Sequence, residues 1–249
     1  MKAILCKSYG PPENLVLEEV QDLNPKEGEA LVEVYAAALN FPDTLQIAGE
    51  YQYQPPLPFS PGSEASGIII ELGPNIKGFE IGDRVMAIPG VGAMAEQVCV
   101  PASGLRKIPD SMNFKTASGF PMVYSTSYYA LKQRANLKPG ETLLVLGSSG
   151  GVGVTAVELG KLMGAQVIAG ASSEEKLQFA KKAGADFLVN YSDGDLKTKI
   201  KELTKGKDAD VIYDPVGGDL FDQATRCINW KCRLLVVGFT SGRIPEYKA

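Results

Sequence analysis

The 249-residue sequence is 45% apolar and carries a net charge of −4 with Lys and Arg scattered; it can build a sizeable core, lacks the basic footprint that nucleic acid or an anionic membrane surface requires, and suits a small-molecule partner. It contains no histidine, so a Ser-His-Asp triad, a His-ligated metal and a His general acid are all excluded. Cys6, Cys99, Cys227 and Cys232 match no zinc pair or CxxC redox pair, no apolar run approaches the ~20 residues of a membrane span, and the lack of a signal-peptide layout points to a cytoplasmic location.

After a short strand-like run at the start, Leu15–Val20, Ala30–Ala38, Gly67–Leu72, Asp83–Ile88 and Glu96–Val100 read as strands separated by Gly and Pro turns. Short strands with little helical periodicity suggest a partly open antiparallel barrel. Asn40–Glu64 reads as a long irregular segment holding Tyr51, Tyr53, Pro55, Pro56, Pro58 and Pro61. Loops of that length are usually functional or disordered, and rigid prolines and aromatics argue against disorder.

The texture turns helical at Phe114–Phe120 and Tyr124–Ala135. Thr142–Leu146 then reads as a buried strand running into Gly147-Ser148-Ser149-Gly150-Gly151-Val152-Gly153, with a helix expected over Val154–Met163. Gly151, Gly153 and Ala156 fit the spacing G-x-G-x-x-G/A, in which glycines let the backbone approach a pyrophosphate at a helix N-terminus. Strands at Gln166–Ala169, Phe187–Val189, Ala209–Tyr213 and Arg233–Val237 alternate with helices starting near Ser173, Asp195 and Asp219. This is the pattern of a doubly wound parallel sheet, an α/β Rossmann domain. We place the substrate domain at 1–123 and the nucleotide domain at 124–249. Such sheets usually have about six strands, so the fifth is expected to have an open edge.

An NAD-type site places a carboxylate at the end of the second strand, where it binds the ribose 2′-hydroxyl. Here Gly170 and Ala171 occupy that end, and Ser172 with Glu175 has capping-box spacing, which puts Glu174 and Glu175 in the first helical turn. Ser172, Ser173 and Lys176 are then placed to contact an added phosphate, so the expected cofactor is NADP(H).

Together, Asn40-Phe41-Pro42-Asp43, Gly73, Gly82-Asp83-Arg84-Val85, Gly150-Gly151-Val152-Gly153 and Tyr213-Asp214-Pro215-Val216-Gly217 resemble the medium-chain dehydrogenase/reductase superfamily, in its zinc-free quinone oxidoreductase branch. The resemblance implies a GroES-like barrel on the substrate side and a Rossmann domain for the cofactor. By position, it implies Asn40 and Thr126 near the nicotinamide, Tyr51 as the active-site tyrosine, and Ser149, Gly151 and Val152 along the pyrophosphate. It also implies Ser172, Lys176 and Tyr191 at the 2′-phosphate, and Phe239 in a loop covering the nicotinamide. Where zinc-dependent relatives carry Gly-His-Glu, this chain has Gly62-Ser63-Glu64, and the four-cysteine lobe is missing, so no metal is expected. Leu45 stands where quinone reductases often place a tyrosine. Family members usually run further and commonly pair as dimers, so a C-terminally shortened form and a homodimer are expectations too.

The chemistry this leaves is hydride transfer to a quinone or another α,β-unsaturated carbonyl, whose delocalised charge a hydrogen bond can stabilise without a Lewis acid. Tyr51 is the expected proton donor, with Asn40 beside the reacting groups. A non-catalytic nucleotide-binding or structural form and an enoyl-thioester reductase are the alternatives.

Overall fold

A computed structural model describes residues 1–244 and 246. The chain divides into two compact units, Met1–Met122 and Val123–Ala249.

In the first unit, β1 (Lys2–Leu5) pairs antiparallel with β2 (Val16–Glu19). Then β3 (Glu29–Ala37), α1 (Phe41–Ala48), β4 (Ala65–Leu72), β5 (Arg84–Ala87), β6 (Gln97–Pro101) and β7 (Leu105–Lys107) follow. The last five strands form one antiparallel sheet, ordered β6-β3-β4-β5-β7. Its core gathers Val32, Ile69, Val85, Val98, Val100 and Leu105 from strands that alternate inward and outward. This is the expected GroES-like arrangement.

The segment 40–64 is not wholly irregular, because its first third is helical. Asp43 accepts the Asn40 N–H at 2.8 Å, Pro42 sits in the first turn, and Gly49 ends the helix in the left-handed region at φ 77°. Those are start and stop signals of a helix, outweighed in the sequence reading by the prolines further on.

The helices α2 (Phe114–Ser118) and α3 (Pro121–Tyr128) follow, and the boundary between the units falls within α3. The expected helix over 124–135 is therefore α3 continued by a wider π-type turn at Tyr129–Arg134, where the Ala135 N–H donates to the Ala130 carbonyl.

In the second unit, β8 (Thr142–Val145), α4 (Gly151–Leu162), β9 (Gln166–Ala171), α5 (Glu174–Lys182) and β10 (Phe187–Asn190) precede α6 (Leu196–Leu203), β11 (Ala209–Asp214), α7 (Gly218–Ala224) and β12 (Ile228–Val236). The five strands are parallel and ordered β10-β9-β8-β11-β12. Leu143, Val145, Val167 and Val211 pack on one face with Ala156 and Val157 of α4. Leu144, Ile168 and Ile212 pack on the other with Leu196 and Ile200 of α6 and Leu220 of α7. Burial on both faces explains why these strands read as continuous apolar runs rather than alternating ones. Each fully buried Leu or Ile contributes about 1.5–3 kcal/mol. The order reverses beside β8, so the loop after β8 lies at the switch point where such sheets bind ligands. No helix among the described residues is long and apolar enough to cross a membrane.

Candidate functional site

The loop between β8 and α4 is built around two glycines, Gly147 and Gly153, that tolerate no side chain. Gly147 has φ 57°, and a Cβ on Gly153 would lie 2.2 Å from the Gly147 carbonyl oxygen. The helix begins at Gly151, three residues before the expected start, with Gly150 as an extended N-cap and no side chain capping it. Its first-turn N–H groups and positive dipole end therefore face the loop without a side-chain acceptor. Gly151 and Val152 open this turn, and the half-buried Ser149 stands just before its N-cap. The Ser148 hydroxyl is fully buried there without a hydrogen-bond partner among the described residues. An uncapped helix start, glycines that a Cβ would clash with and an unpartnered buried hydroxyl fit the phosphates of a dinucleotide.

A hydroxyl cluster that the sequence did not reveal pins this helix. Ser127 Oγ donates to the Val152 carbonyl at 2.9 Å and lies 2.9 Å from both Thr155 Oγ1 and the Tyr213 hydroxyl. Burial pushes the Tyr213 phenol up to about 12, with Ser127 opposing the shift. Thr126, next to Ser127 on α3, is half-buried. Asp214 ends β11 fully buried; its Oδ1 accepts the Val216 and Gly217 N–H groups at 2.8 and 3.0 Å, and its Oδ2 has no partner among the described residues. Burial raises its pKa against those two bonds. Phe239 packs beside Gly217, where a Cβ would lie 3.2 Å from it.

At the end of β9 the structure brings Ser172, Lys176 and Tyr191 together. Lys176 Nζ donates to Ser172 Oγ at 2.9 Å, and the Tyr191 side chain lies close enough to Ser172 for its phenol to feel it. Burial raises the Tyr191 pKa, Ser172 opposes this, and Asp214 adds to it. Ser192, overlooked in the sequence, donates to the Ser172 carbonyl at 3.2 Å. The helix cap differs from expectation: Ser173, not Ser172, accepts the Lys176 N–H, at 3.4 Å. With β9 running through Ala171 and α5 starting at Glu174, the cap moves one residue along, and Ser172 is free to meet Lys176 and Tyr191. Glu174 and Glu175 do fall in the first turn of α5.

In the first unit, Asn40 is the N-cap of α1, half-buried, and held at both ends. Its backbone N–H donates to Asp43 Oδ2 at 2.8 Å and its Nδ2 donates to Glu64 Oε1 at 2.8 Å. The other Glu64 oxygen accepts the Met122 N–H at 2.7 Å. Glu64 is 0% exposed and Asp43 4%. Burial pushes both carboxyls above the usual carboxylate range, against the hydrogen bonds they accept, and for Glu64 the neighbouring Asp43 charge adds to the rise. Tyr51 is half-buried, Tyr53 exposed, and among the described residues no hydrogen bond joins Tyr51 to Asn40. Among the described residues no three His, Cys, Asp or Glu side chains are grouped to hold a metal.

Comparison with known proteins places this geometry. Residues 26–110 match the family model described as alcohol dehydrogenase GroES-like domain, and residues 151–248 match the one described as zinc-binding dehydrogenase. The quinone oxidoreductase-like protein 2 homolog of Nematostella vectensis is 41% identical, over 100% of this chain and 68% of that protein. The quinone oxidoreductase-like protein 2 of Bos taurus is 38% identical, over 100% of this chain and 71% of its own. The crystal structure of Escherichia coli quinone oxidoreductase complexed with NADPH superposes with a TM-score of 0.93 at 33% identity, over 100% of this chain and 76% of that one.

Proposed function

The chain belongs to the medium-chain dehydrogenase/reductase superfamily, in its quinone oxidoreductase branch, and from that membership we propose that it is an oxidoreductase using NADPH to reduce quinones or other α,β-unsaturated carbonyls without a metal. The observation that carries the cofactor reading is the convergence of the Ser172 hydroxyl, the Lys176 ammonium and the Tyr191 side chain past a strand end that holds no carboxylate. Two hydroxyls and a cation suit a 2′-phosphate and give a bare ribose hydroxyl no acid to bind.

In this reading the α4 N-terminus with Ser149, Gly151 and Val152 holds the pyrophosphate. In the second unit, Thr126 borders the nicotinamide and Phe239 covers it. NADPH, when bound, supplies the hydride. Tyr51 delivers the proton to the acceptor, and the Asn40 carboxamide hydrogen-bonds the oxygen on which negative charge develops. The same reading includes a homodimer, which sedimentation of the purified chain checks.

The test is NADPH consumption over a panel of quinones and enones. Saturable oxidation supports the reductase, while NADPH binding without consumption by any acceptor identifies a nucleotide-binding protein without turnover. Lys176→Ala is expected to weaken NADPH binding roughly ten- to a hundredfold, the value of a charge-assisted contact, and to leave NADH binding unchanged. Equal binding of NADH and NADPH by the unaltered protein would sink the 2′-phosphate site.

A further inference from the structure

Glu64 is fully buried beside a second carboxyl, Asp43, whose like charge adds to the rise that burial causes in its pKa. Burying an acid next to an acid is unfavourable unless its hydrogen bonds are well used. Both Glu64 oxygens are used, one by the Met122 N–H at 2.7 Å and the other by Asn40 Nδ2 at 2.8 Å. The first bond secures the start of α3. A carboxylate can only accept, so the second forces the Asn40 carboxamide to turn its NH₂ inward. The backbone of Asn40 is fixed separately by Asp43, and the capping-box approach of the Asp43 N–H to the Asn40 side chain favours the same amide orientation that Glu64 sets.

We infer that Glu64 is the positioning residue for Asn40: its carboxylate sets the carboxamide so that Oδ1 and one Nδ2–H are the groups Asn40 offers to a bound molecule. This rests on the reading of Asn40 as the residue that hydrogen-bonds the acceptor. In Glu64→Gln the Gln oxygen remains for the Met122 N–H, and its NH₂ then faces Asn40. Asn40 must turn its Oδ1 inward and offer two N–H groups instead, so the donor and acceptor pattern changes while the packing volume does not.

A double-mutant cycle, read with NADPH and a quinone together with thermal melts, tests this. Asn40→Ala and Glu64→Gln are each expected to lower kcat/KM roughly ten- to a hundredfold, and Glu64→Gln is expected to add nothing in the Asn40→Ala background. Additive losses, or a fully active Glu64→Gln beside an impaired Asn40→Ala, would overturn the positioning role and leave the Asn40 reading intact. A fully active Asn40→Ala would overturn the Asn40 reading, and the inference with it. The cofactor-free protein gives a second readout that needs no turnover and no folded Glu64 variant. The side-chain amide signal of Asn40 in a ¹⁵N spectrum, assigned by its loss in Asn40→Ala, is expected to shift as Glu64 titrates above the usual carboxylate range. An amide signal indifferent to pH there overturns the inference.

Discussion

Gly153 carries the tightest constraint in the phosphate loop. A methyl group at this position would press on the Gly147 carbonyl oxygen at 2.2 Å and on Ser148 Cα at 2.9 Å, both backbone atoms that cannot swing aside. Gly153→Ala is therefore expected to cost about 1–3 kcal/mol or more of stability and to remove NADPH binding. Gly150, whose Cβ would come no closer than 3.4 Å to the Gly147 oxygen and whose φ of −74° suits any residue, should accept Ala with binding retained. Urea midpoints and nucleotide fluorescence on the two variants check this, and equal behaviour would refute it. Gly153 was legible in the sequence because the spacing of the loop is local. Ser127 and Glu64 were not, because their partners lie 86 residues away at Tyr213 and 24 away at Asn40; no short-range pattern marks a side chain whose role depends on which strands become neighbours.

At the scale of elements, the alternation of strands and helices after Thr142 exposed the parallel sheet, since β8, β9 and β11 are short, buried on both faces and each followed by a helix. Element ends were harder to read. Ser172 and Ser173 are chemically equivalent in the sequence, and the length of β9 alone decides which of them caps α5. That difference is testable. Ser173→Ala should lose a cap worth about 0.5–1 kcal/mol, toward the low end of the range because the bond is 3.4 Å long, while NADPH affinity holds. Ser172→Ala should leave the urea midpoint nearly unchanged and weaken NADPH binding, since its hydroxyl meets Lys176 and Tyr191 rather than the helix. The reverse pattern would restore Ser172 as the cap. The same competition hid α1, whose capping signals at Asn40, Pro42 and Gly49 stand beside a proline-rich stretch that is not helical.

Over the whole molecule, two sets of carboxyls oppose each other. Burial is the first cause of the raised pKa of Asp43, Glu64 and Asp214. A folded pKa above the unfolded one means that each group's contribution is fully present below its unfolded value and is lost as pH rises through the folded value. Asp83 and Glu141 are lowered, chiefly by hydrogen bonds from Lys107 and Arg233, so their contributions are present above the unfolded values and are lost as pH falls through the folded ones. On acidification from neutral pH, the buried acids therefore take up protons first in the folded state and raise stability, and the paired acids, protonated only at lower pH, then lose their contribution. Maximum stability is expected on the acid side of neutral, followed by a fall at lower pH. Glu141→Gln should soften that fall, because it removes the partner of the two-pronged Arg233 contact at 2.9 and 2.6 Å. It should also cost only about 1 kcal/mol at neutral pH, the pair being partly open to screening by solvent. A series of urea midpoints from about pH 8 to about pH 4 reads both effects, and a midpoint that declined steadily from neutral pH downward would show that the buried acids do not carry the shifts their burial implies.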